Sequence, residues 1–243
     1  MNVLEHLKQV KIIELSISGL DISITNGMIT GYLAVFLIIL FFFIVSKRAK
    51  LVPNLPQTIA EFLIQFIQTE MLAPLGEEAR IWLPFIVSLF SYILICNLLG
   101  IIPGLLPPTS NINFTATLAI IVFLIVQIAG IKKQGFIGYM KSLVPPGVPV
   151  FLAPFLFPIE IIGQLARPFS LSVRLFANMF AGHAIILTLI SLIFVFKSFL
   201  VIPFPVIGNV AILAFEIFVS FIQAFIFTFL SASYIIGAVQ AEH

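Results

Sequence analysis

The sequence predicts an all-α polytopic membrane protein with about five membrane-embedded helices and one amphipathic surface helix. Of the 243 residues, 61% are hydrophobic and 9% are charged, whereas a soluble domain is about 25% charged. Uncharged runs recur at 22–46, 81–131, 175–196 and 217–241. Each is long enough to cross a bilayer, since a spanning helix needs about 20 mostly apolar residues. A transmembrane β-barrel would instead show short segments of alternating hydrophobicity.

The N-terminal part contains one span and one surface helix. Residues 1–26 are predicted as a segment on the outer side, with a polar beginning in which a helical turn can form. The first span covers 27–46 and ends at a basic cluster, 47–50. Basic loops stay on the cytoplasmic or matrix side, which puts the N-terminus on the opposite side. Over 53–78, apolar residues at helical spacing alternate with Gln and Glu, which predicts an amphipathic helix on the membrane surface.

The uncharged run 81–131 is long enough for two spans. It is interrupted by Pro103-Gly104 and Pro107-Pro108, so we predict spans over 81–102 and 114–131 joined by a turn on the outer side. The lysines that follow return the chain to the inner side, as the positive-inside rule requires after two spans. The middle part of the protein is thus 27–141.

The last part, 142–243, is predicted as a long, steeply tilted antiparallel hairpin. Five prolines make 145–158 a poor regular helix at first sight, but helical spacing takes over from about Phe155 and continues to Phe196, with a kink expected at Pro168. About 40 helical residues span about 60 Å, twice the hydrocarbon thickness, so this helix must tilt or lie partly along the membrane. Pro203 and Pro205 mark the turn, and a helix over 208–240 brings the C-terminus to the cytoplasmic or matrix side.

The composition argues against several classes of site. The chain has one cysteine, Cys96, which is most simply a packing thiol. No cysteine set supports a metal centre, and no glycine-rich phosphate-binding motif is present. We therefore expect no cofactor, no metal and no nucleic-acid partner. The first 25 residues carry acidic residues and lack the order of a cleaved signal or transit peptide.

Polar residues concentrate in the predicted hairpin. Glu160, Arg167 and Arg174 are spaced by seven residues, close to two helical turns, so they lie along nearly one stripe. Asn178 continues that stripe one turn further on. On the second helix, a glutamate, a serine and a glutamine share one face: Glu216, Ser220 and Gln223.

These residues predict a proton path interrupted by a fixed charge. Glu160, His183 and Glu216 take and release protons, whereas arginine stays charged. Counting back from the predicted turn puts His183 and Glu216 in the outer half, and Glu160 lies toward the inner side. Arg174 then separates two aqueous paths, repels a direct crossing and stabilises an ionised carboxylate on a partner subunit. Intramembrane ionisable groups are functional hypotheses by default.

Structural interpretations of the same residues remain open. Arg167 could snorkel to the interface, Asn178 could be an interhelical hydrogen bonder, and His183 could be a satisfied buried histidine. Glu216 could pair statically with Arg174. Lys197, next to the predicted turn, is expected to anchor at the interface.

Several strings closely resemble subunit a, also called subunit 6, of F-type ATP synthases. The RLxxNMxAGH pattern over 174–183 and QAFIFT over 223–228 are the most specific. Residues 157–160 and 167–173 extend the likeness, as do 96–100 and 111–115. The resemblance covers essentially the whole chain and is sharpest over 155–235.

The resemblance implies roles for individual residues. Arg174 resembles the essential arginine that meets a c-subunit carboxylate and keeps two half-channels apart. Glu160 resembles the acid of the half-channel on the ATP-making side, and His183 with Glu216 resembles the polar pair of the other half-channel.

Further positions match the family's polar residues. Asn178 and Gln223 resemble residues close to the essential arginine, and Arg167 stands where some relatives have lysine. Asn111 and Asn113 match a patch where some relatives carry an acid, and amides there disfavour a proton relay.

The resemblance also implies the setting. The chain would be a non-catalytic stator subunit in an energy-coupling inner membrane, bacterial or mitochondrial. Its partners would be the c-subunit ring, the peripheral-stalk b subunits, other ATP synthase subunits and lipid, and its cargo H⁺, with Na⁺ left open. The alternatives are a membrane subunit of another proton-translocating complex, a secondary transporter, and a scaffold protein.

Overall fold

A computed structural model describes residues 11–13, 16–17, 20–21, 24–102, 105–143, 151–196 and 203–240. Within that part of the chain, five helices are long and apolar enough to cross a membrane, which confirms an all-α polytopic membrane protein. The α-helices are α1 Asn26–Lys47, α2 Leu55–Phe66, α3 Ala79–Gly100, α4 Ile112–Ser142, α5 Ala153–Phe196 and α6 Pro203–Val239.

The residues before α1 form short strands rather than a helical turn. β1 (Lys11–Ile13) pairs antiparallel with β4 (Ile24–Thr25), and β2 (Ser16–Ile17) pairs with β3 (Leu20–Asp21). The prediction of a helical turn is therefore wrong for the described residues in this segment. Isoleucine recurs in these strands, and β-branched residues favour extended backbone.

The first span, α1, starts and ends where the sequence predicts within one residue. The Thr25 side chain caps the helix by accepting a hydrogen bond from the backbone N–H of Met28 at 3.4 Å. Lys47 lies in the last turn, where a cation is favoured by the partial negative charge of the helix C-terminus. Its ammonium lies 4.7 Å from the centre of the Phe43 ring.

The predicted surface helix consists of three pieces. α2 is followed by a π-helical turn, Ile67–Met71, and a 3-10 helix, Ala73–Glu78. Phe62 on its apolar face is 69% exposed in the chain alone, as a face directed at lipid would be. Gln57 departs from the pattern because it is buried, and its amide hydrogen-bonds both backbone groups of Lys50.

Buried polar contacts fix the connection between α3 and α4. The Thr109 hydroxyl donates a hydrogen bond to Asn97 Oδ1 at 2.8 Å, and both residues are fully buried. Asn111 precedes α4 and accepts a hydrogen bond from the backbone N–H of Asn113 at 2.9 Å. Asn111 is thus an N-cap, which accounts for an amide at this position structurally.

Helix α4 is longer than the predicted span, because the lysines at 132 and 133 end the apolar run without ending the helix. Gly135 interrupts it with φ 74° and ψ 162°, a conformation that glycine adopts without the steric penalty of a Cβ. The helical residues after Gly135 form what we call the return segment, 136–142.

Prolines occupy the beginnings of the two hairpin helices. α5 begins at Ala153, so Pro154 falls in its first turn, where no intrahelical N–H is needed. The helix thus begins close to the predicted start at about Phe155, and residues 144–150 lie outside the described residues. Pro203 and Pro205 lie in the first turn of α6 rather than in a turn before it. Lys197 and the rest of the connection between α5 and α6, 197–202, lie outside the described residues.

The chain packs as two compact units, each with its own core. The first contains described residues of 1–48 together with 90–115 and 174–225. Ala34, Cys96 and Leu99 pack together there, and the Phe90 and Phe221 rings meet edge to face at 5.8 Å.

The second unit contains 49–89, 116–173 and described residues of 226–243. Its fully buried side chains include Ile67, Leu72, Ile86 and Ile235. On several spans, large apolar side chains remain exposed in the isolated chain, as is required of surfaces that contact lipid or other membrane subunits.

Candidate functional site

Arg174 carries the most unusual charge in the protein. It lies within the membrane-length helix α5, its side chain is half-buried, and Leu175 next to it is 1% exposed. Among the described residues, Arg174 makes no salt bridge and no side-chain hydrogen bond. A charge at the centre of a bilayer costs about 2.5–3.5 kcal/mol on insertion scales. The guanidinium therefore requires a counter-charge or water from outside the described chain.

The helix surface next to Arg174 is open. Ala177, Asn178 and Ala181 follow at helical spacing and are all exposed, while Met179 on the other side of the helix is 3% exposed. Small side chains on an exposed helix face let another helix approach closely in a membrane. Asn178 adds an exposed amide one turn from the guanidinium.

His183 and Glu216 lie together in the first unit. His183 Nδ1 is 3.9 Å from Glu216 Oε1, and the side chains are 12% and 7% exposed. The structure thus pairs Glu216 with the histidine rather than with Arg174, contrary to the static pairing that the sequence left open.

Both ring nitrogens of His183 face carbonyl oxygens. Nδ1 lies 2.9 Å from the Met179 carbonyl oxygen and Nε2 lies 2.9 Å from that of Gly100. A neutral imidazole has one N–H and donates to one of them, whereas a protonated ring donates to both. The protonated ring also places a positive charge near the Glu216 carboxylate. The ring can therefore carry one N–H or two at this place, with a carbonyl acceptor for each.

The Glu216 carboxylate is buried and lacks hydrogen-bond donors among the described residues. Neither of its oxygens has a hydrogen-bond partner in the described part of the chain. A Cβ at Gly182 would overlap Oε1 of Glu216, so the glycine creates the space that the carboxylate occupies. A buried carboxylate without donors is costly unless it is protonated, paired or hydrated.

The buried polar face of α6 continues beyond Glu216. Ser220 is fully buried and Gln223 is 8% exposed, whereas Phe218 is 61% exposed. The Ser220 hydroxyl has no partner among the described residues. Glu216, Ser220 and Gln223 thus occupy the same buried side of one helix.

Glu160 and Arg167 form a second pair, in the second unit. Arg167 Nη2 donates to Glu160 Oε1 at 3.1 Å, and the two side chains are 41% and 35% exposed. The Arg167 guanidinium also lies over the Tyr234 ring, 5.1 Å from its centre, a cation–π contact. Arg167 is therefore fixed by neighbours rather than extended freely to the interface.

This second pair borders a polar cavity of about 440 Å³. Its walls include Tyr139, Glu160, Gln164, Arg167 and Tyr234. The volume holds several waters, since one water occupies about 30 Å³ of liquid. The cavity can therefore hydrate the ion pair.

Sequence reasoning placed Gln164 among the polar residues of the hairpin but missed Tyr139, Gln127 and Tyr234, which also lie around this pair. Tyr139 donates to Gln127 Oε1 at 2.8 Å, and Gln127 Nε2 donates to Gln164 Oε1 at 3.0 Å. Gln127 could have been noticed as an amide inside a predicted span, but nothing in the sequence joins it to Tyr139. Among the described residues, no group of three or more His, Cys, Asp or Glu side chains could hold a metal ion.

Comparisons with known proteins agree on one family. A family model described as ATP synthase A chain matches residues 28–236. ATP synthase subunit a of Magnetococcus marinus is 41% identical over 99% of this chain and 93% of its own length. ATP synthase subunit a of Ehrlichia canis is 39% identical over 94% of this chain and 93% of its own. That of Chloroherpeton thalassium is 37% identical over 94% of this chain and 70% of its own.

Proposed function

The chain belongs to the ATP synthase A chain family, and from that premise we propose that it is the stator subunit that conducts protons through two half-channels to and from the carboxylates of a c-subunit ring. It is a multi-pass membrane protein with five helices of spanning length among its described residues. In the proposed role it catalyses no chemical step itself and couples proton flow to rotation and ATP synthesis.

The unpaired guanidinium of Arg174 is the observation that carries this proposal. It is half-buried on a membrane helix and has no counter-charge among the described residues. In the described part of the hairpin, the two glutamates each lie beside a basic side chain, Glu160 beside Arg167 at 3.1 Å and Glu216 beside His183 at 3.9 Å. A carboxylate brought by another subunit to the open face at Ala177 and Asn178 would supply the missing charge.

The pair His183 and Glu216 serves the outer half-channel. A proton arriving from the outer side is taken up by the pair. Its nitrogen and oxygen lie 3.9 Å apart, so the two side chains must approach each other slightly before a proton passes between them. The buried face continued by Ser220 and Gln223 extends the polar path. The proton then neutralises a c-ring carboxylate.

The pair Glu160 and Arg167 serves the inner half-channel. Its cavity of about 440 Å³ gives a leaving proton access to water. Arg174 stabilises the c-ring carboxylate in its ionised form, which promotes release on one side and blocks direct passage to the other. The neutral site, unlike an ionised one, can rotate through lipid.

The membrane potential sets the scale of this coupling. Moving one charge across 100 mV yields about 2.3 kcal/mol, so several protons must pass for each ATP.

In this arrangement the N-terminus lies on the outer side and the C-terminus on the cytoplasmic or matrix side of a bacterial or mitochondrial inner membrane. Peripheral-stalk b subunits hold the chain against the turning ring. H⁺ is the proposed cargo, and replacement by Na⁺ would depend mainly on the c subunit.

Replacing Arg174 with alanine tests the proposal. Arg174→Ala should abolish proton-driven ATP synthesis in membrane vesicles, because the c-ring carboxylate loses its only proposed counter-charge. The complex should still assemble, since Arg174 makes no described contact that holds the fold.

Arg80→Ala is the matched control, because Arg80 is an exposed arginine at the start of α3. It should leave synthesis near the unaltered rate. Normal proton-driven synthesis in the Arg174→Ala complex would refute the mechanism.

A further inference from the structure

We propose that Tyr139 is a positioning residue for the Glu160–Arg167 pair, an inference that rests on the proposed function of that pair at the inner half-channel. Tyr139 acts through hydrogen bonds to two glutamine side chains and touches neither the proton's donor nor its acceptor. Three features of the second unit support this role: the fold of the return segment, the direction of the hydrogen bonds, and the position of Gln164 on α5.

The return segment brings Tyr139 back onto its own helix. The positive φ of Gly135 turns the chain, and Tyr139, four residues later, is 3% exposed. A Cβ at Gly130 would overlap the Tyr139 ring, so the ring lies directly against the helix backbone. Such close packing leaves the hydroxyl few alternative positions.

Tyr139, Gln127 and Gln164 form a chain of hydrogen bonds in which each side chain donates to the next. The Tyr139 O–H donates to Gln127 Oε1 at 2.8 Å, with Gln164 Oε1 farther away at 3.5 Å, and Gln127 Nε2 donates to Gln164 Oε1 at 3.0 Å. Both ends of the Gln127 amide are therefore used. Removing the hydroxyl leaves Gln127 Oε1 without its donor, so the amide loses its preferred orientation and weakens its hold on Gln164.

Gln164 transmits this constraint to the ion pair. It lies four residues after Glu160 and three before Arg167, so all three side chains emerge on one side of α5. They line the same cavity as Tyr139. On the far side of the cavity Tyr234 restrains the guanidinium. The carboxylate–guanidinium pair thus lines one cavity together with the Gln164 end of the hydrogen-bonded chain and the Tyr234 ring.

The position of this pair governs proton release because the exit needs a hydrated carboxylate at a fixed place. Small displacements of positioned groups in proton transfer have large effects on rate. The loss of one neutral hydrogen bond corresponds to roughly a 2- to 10-fold change in rate.

The first test is Tyr139→Phe, which removes one oxygen and keeps the ring. In membrane vesicles that hold the intact complex, both ATP-driven proton pumping and proton-driven synthesis should fall about 3- to 10-fold. Tyr32→Phe removes a hydroxyl from an exposed tyrosine on α1 and should change neither rate. Unchanged rates in Tyr139→Phe would overturn the proposal.

A double-substitution cycle separates positioning from general support of the fold. In a Glu160→Gln background the carboxylate to be positioned is gone, so adding Tyr139→Phe should lower the rate by less than about 2-fold. If Tyr139→Phe instead lowers the rate by the same factor with and without Glu160→Gln, Tyr139 supports the fold independently of Glu160 and the proposal is wrong.

A second substitution guards against failed assembly. Gln127→Met keeps the side chain's length and removes both hydrogen bonds, and its loss should also be masked by Glu160→Gln. Failure of the positioning role can be distinguished from failure of the proposed function, because Arg174→Ala tests the proposed function separately. If Arg174→Ala abolishes synthesis while Tyr139→Phe and Gln127→Met do not slow it, only the positioning role fails.

Discussion

Adding one methyl group at Gly182 should displace the carboxylate of Glu216. A Cβ built there would overlap Oε1 and lie 3.0 Å from the carboxyl carbon Cδ and 3.3 Å from Cγ. Carbon atoms in ordinary contact are about 3.5–4.0 Å apart, so Cδ must retreat by about 0.5–1 Å. Because Nδ1 of His183 is 3.9 Å from Oε1, a shift of that size changes the geometry of the pair.

The size of the effect follows from the cost of overpacking. Inserting a methyl group into a close-packed site costs about 1–3 kcal/mol, which corresponds to about 5- to 150-fold in an equilibrium. We expect Gly182→Ala to lower proton-driven ATP synthesis in membrane vesicles at least 5-fold on this scale. The amount of assembled complex, measured after solubilisation in detergent, normalises the rates.

Two further variants check that the carboxylate is the cause. Gly208→Ala adds the same methyl group to α6, where the nearest atom is a Leu189 methyl at 3.3 Å that can rotate away, so it should have little effect. Glu216→Asp is one methylene shorter, so the combination of Gly182→Ala with Glu216→Asp should work better than Gly182→Ala alone. Normal synthesis in Gly182→Ala would show that the space at Gly182 does not determine where the acid functions.

Two other predictions concern Glu216 and the buried contact between Thr109 and Asn97. Glu216→Gln should slow proton transport more than Lys197→Gln, because the amide cannot release a proton; equal rates of vesicle acidification would argue that Glu216 is structural. Thr109→Val should lower the thermal stability of the purified complex, because Asn97 loses its hydrogen-bond donor inside the fold at a cost of about 1–3 kcal/mol. Adding Asn97→Leu should restore part of that stability, and a further decrease in the unfolding temperature would contradict this explanation.

The first and last residues of a helix could be predicted from the sequence where the helix coincides with an apolar run. α1 begins and ends within one residue of the predicted span, because a Thr cap and a basic cluster border the apolar run. The prediction failed where helix and apolar run separate. α4 continues through Lys132 and Lys133 to Ser142, and α6 begins at Pro203 because proline is accepted in a first helical turn.

Within the candidate site, residues on one helix were predictable and contacts between helices were not. Helical spacing places Glu216, Ser220 and Gln223 on one face, and all three are buried. Glu160 and Arg167 are seven residues apart on α5 and form a salt bridge. From the sequence, this spacing predicted only that the two side chains share one side of the helix. The link from Tyr139 to Gln127 depends on the reversal at Gly135, and one glycine in a helical pattern does not reveal such a turn.

The unpaired charge of Arg174 on α5 has a consequence for the biosynthesis and turnover of this subunit. In the proposed function the acid that meets Arg174 belongs to another subunit, so a copy inserted alone places the guanidinium in the membrane with no acid among its own described residues beside it. Until assembly, water and lipid phosphates must solvate the side chain, which favours a distorted, protease-sensitive intermediate. Cells that synthesise this polypeptide in excess of its rotor should therefore degrade the surplus.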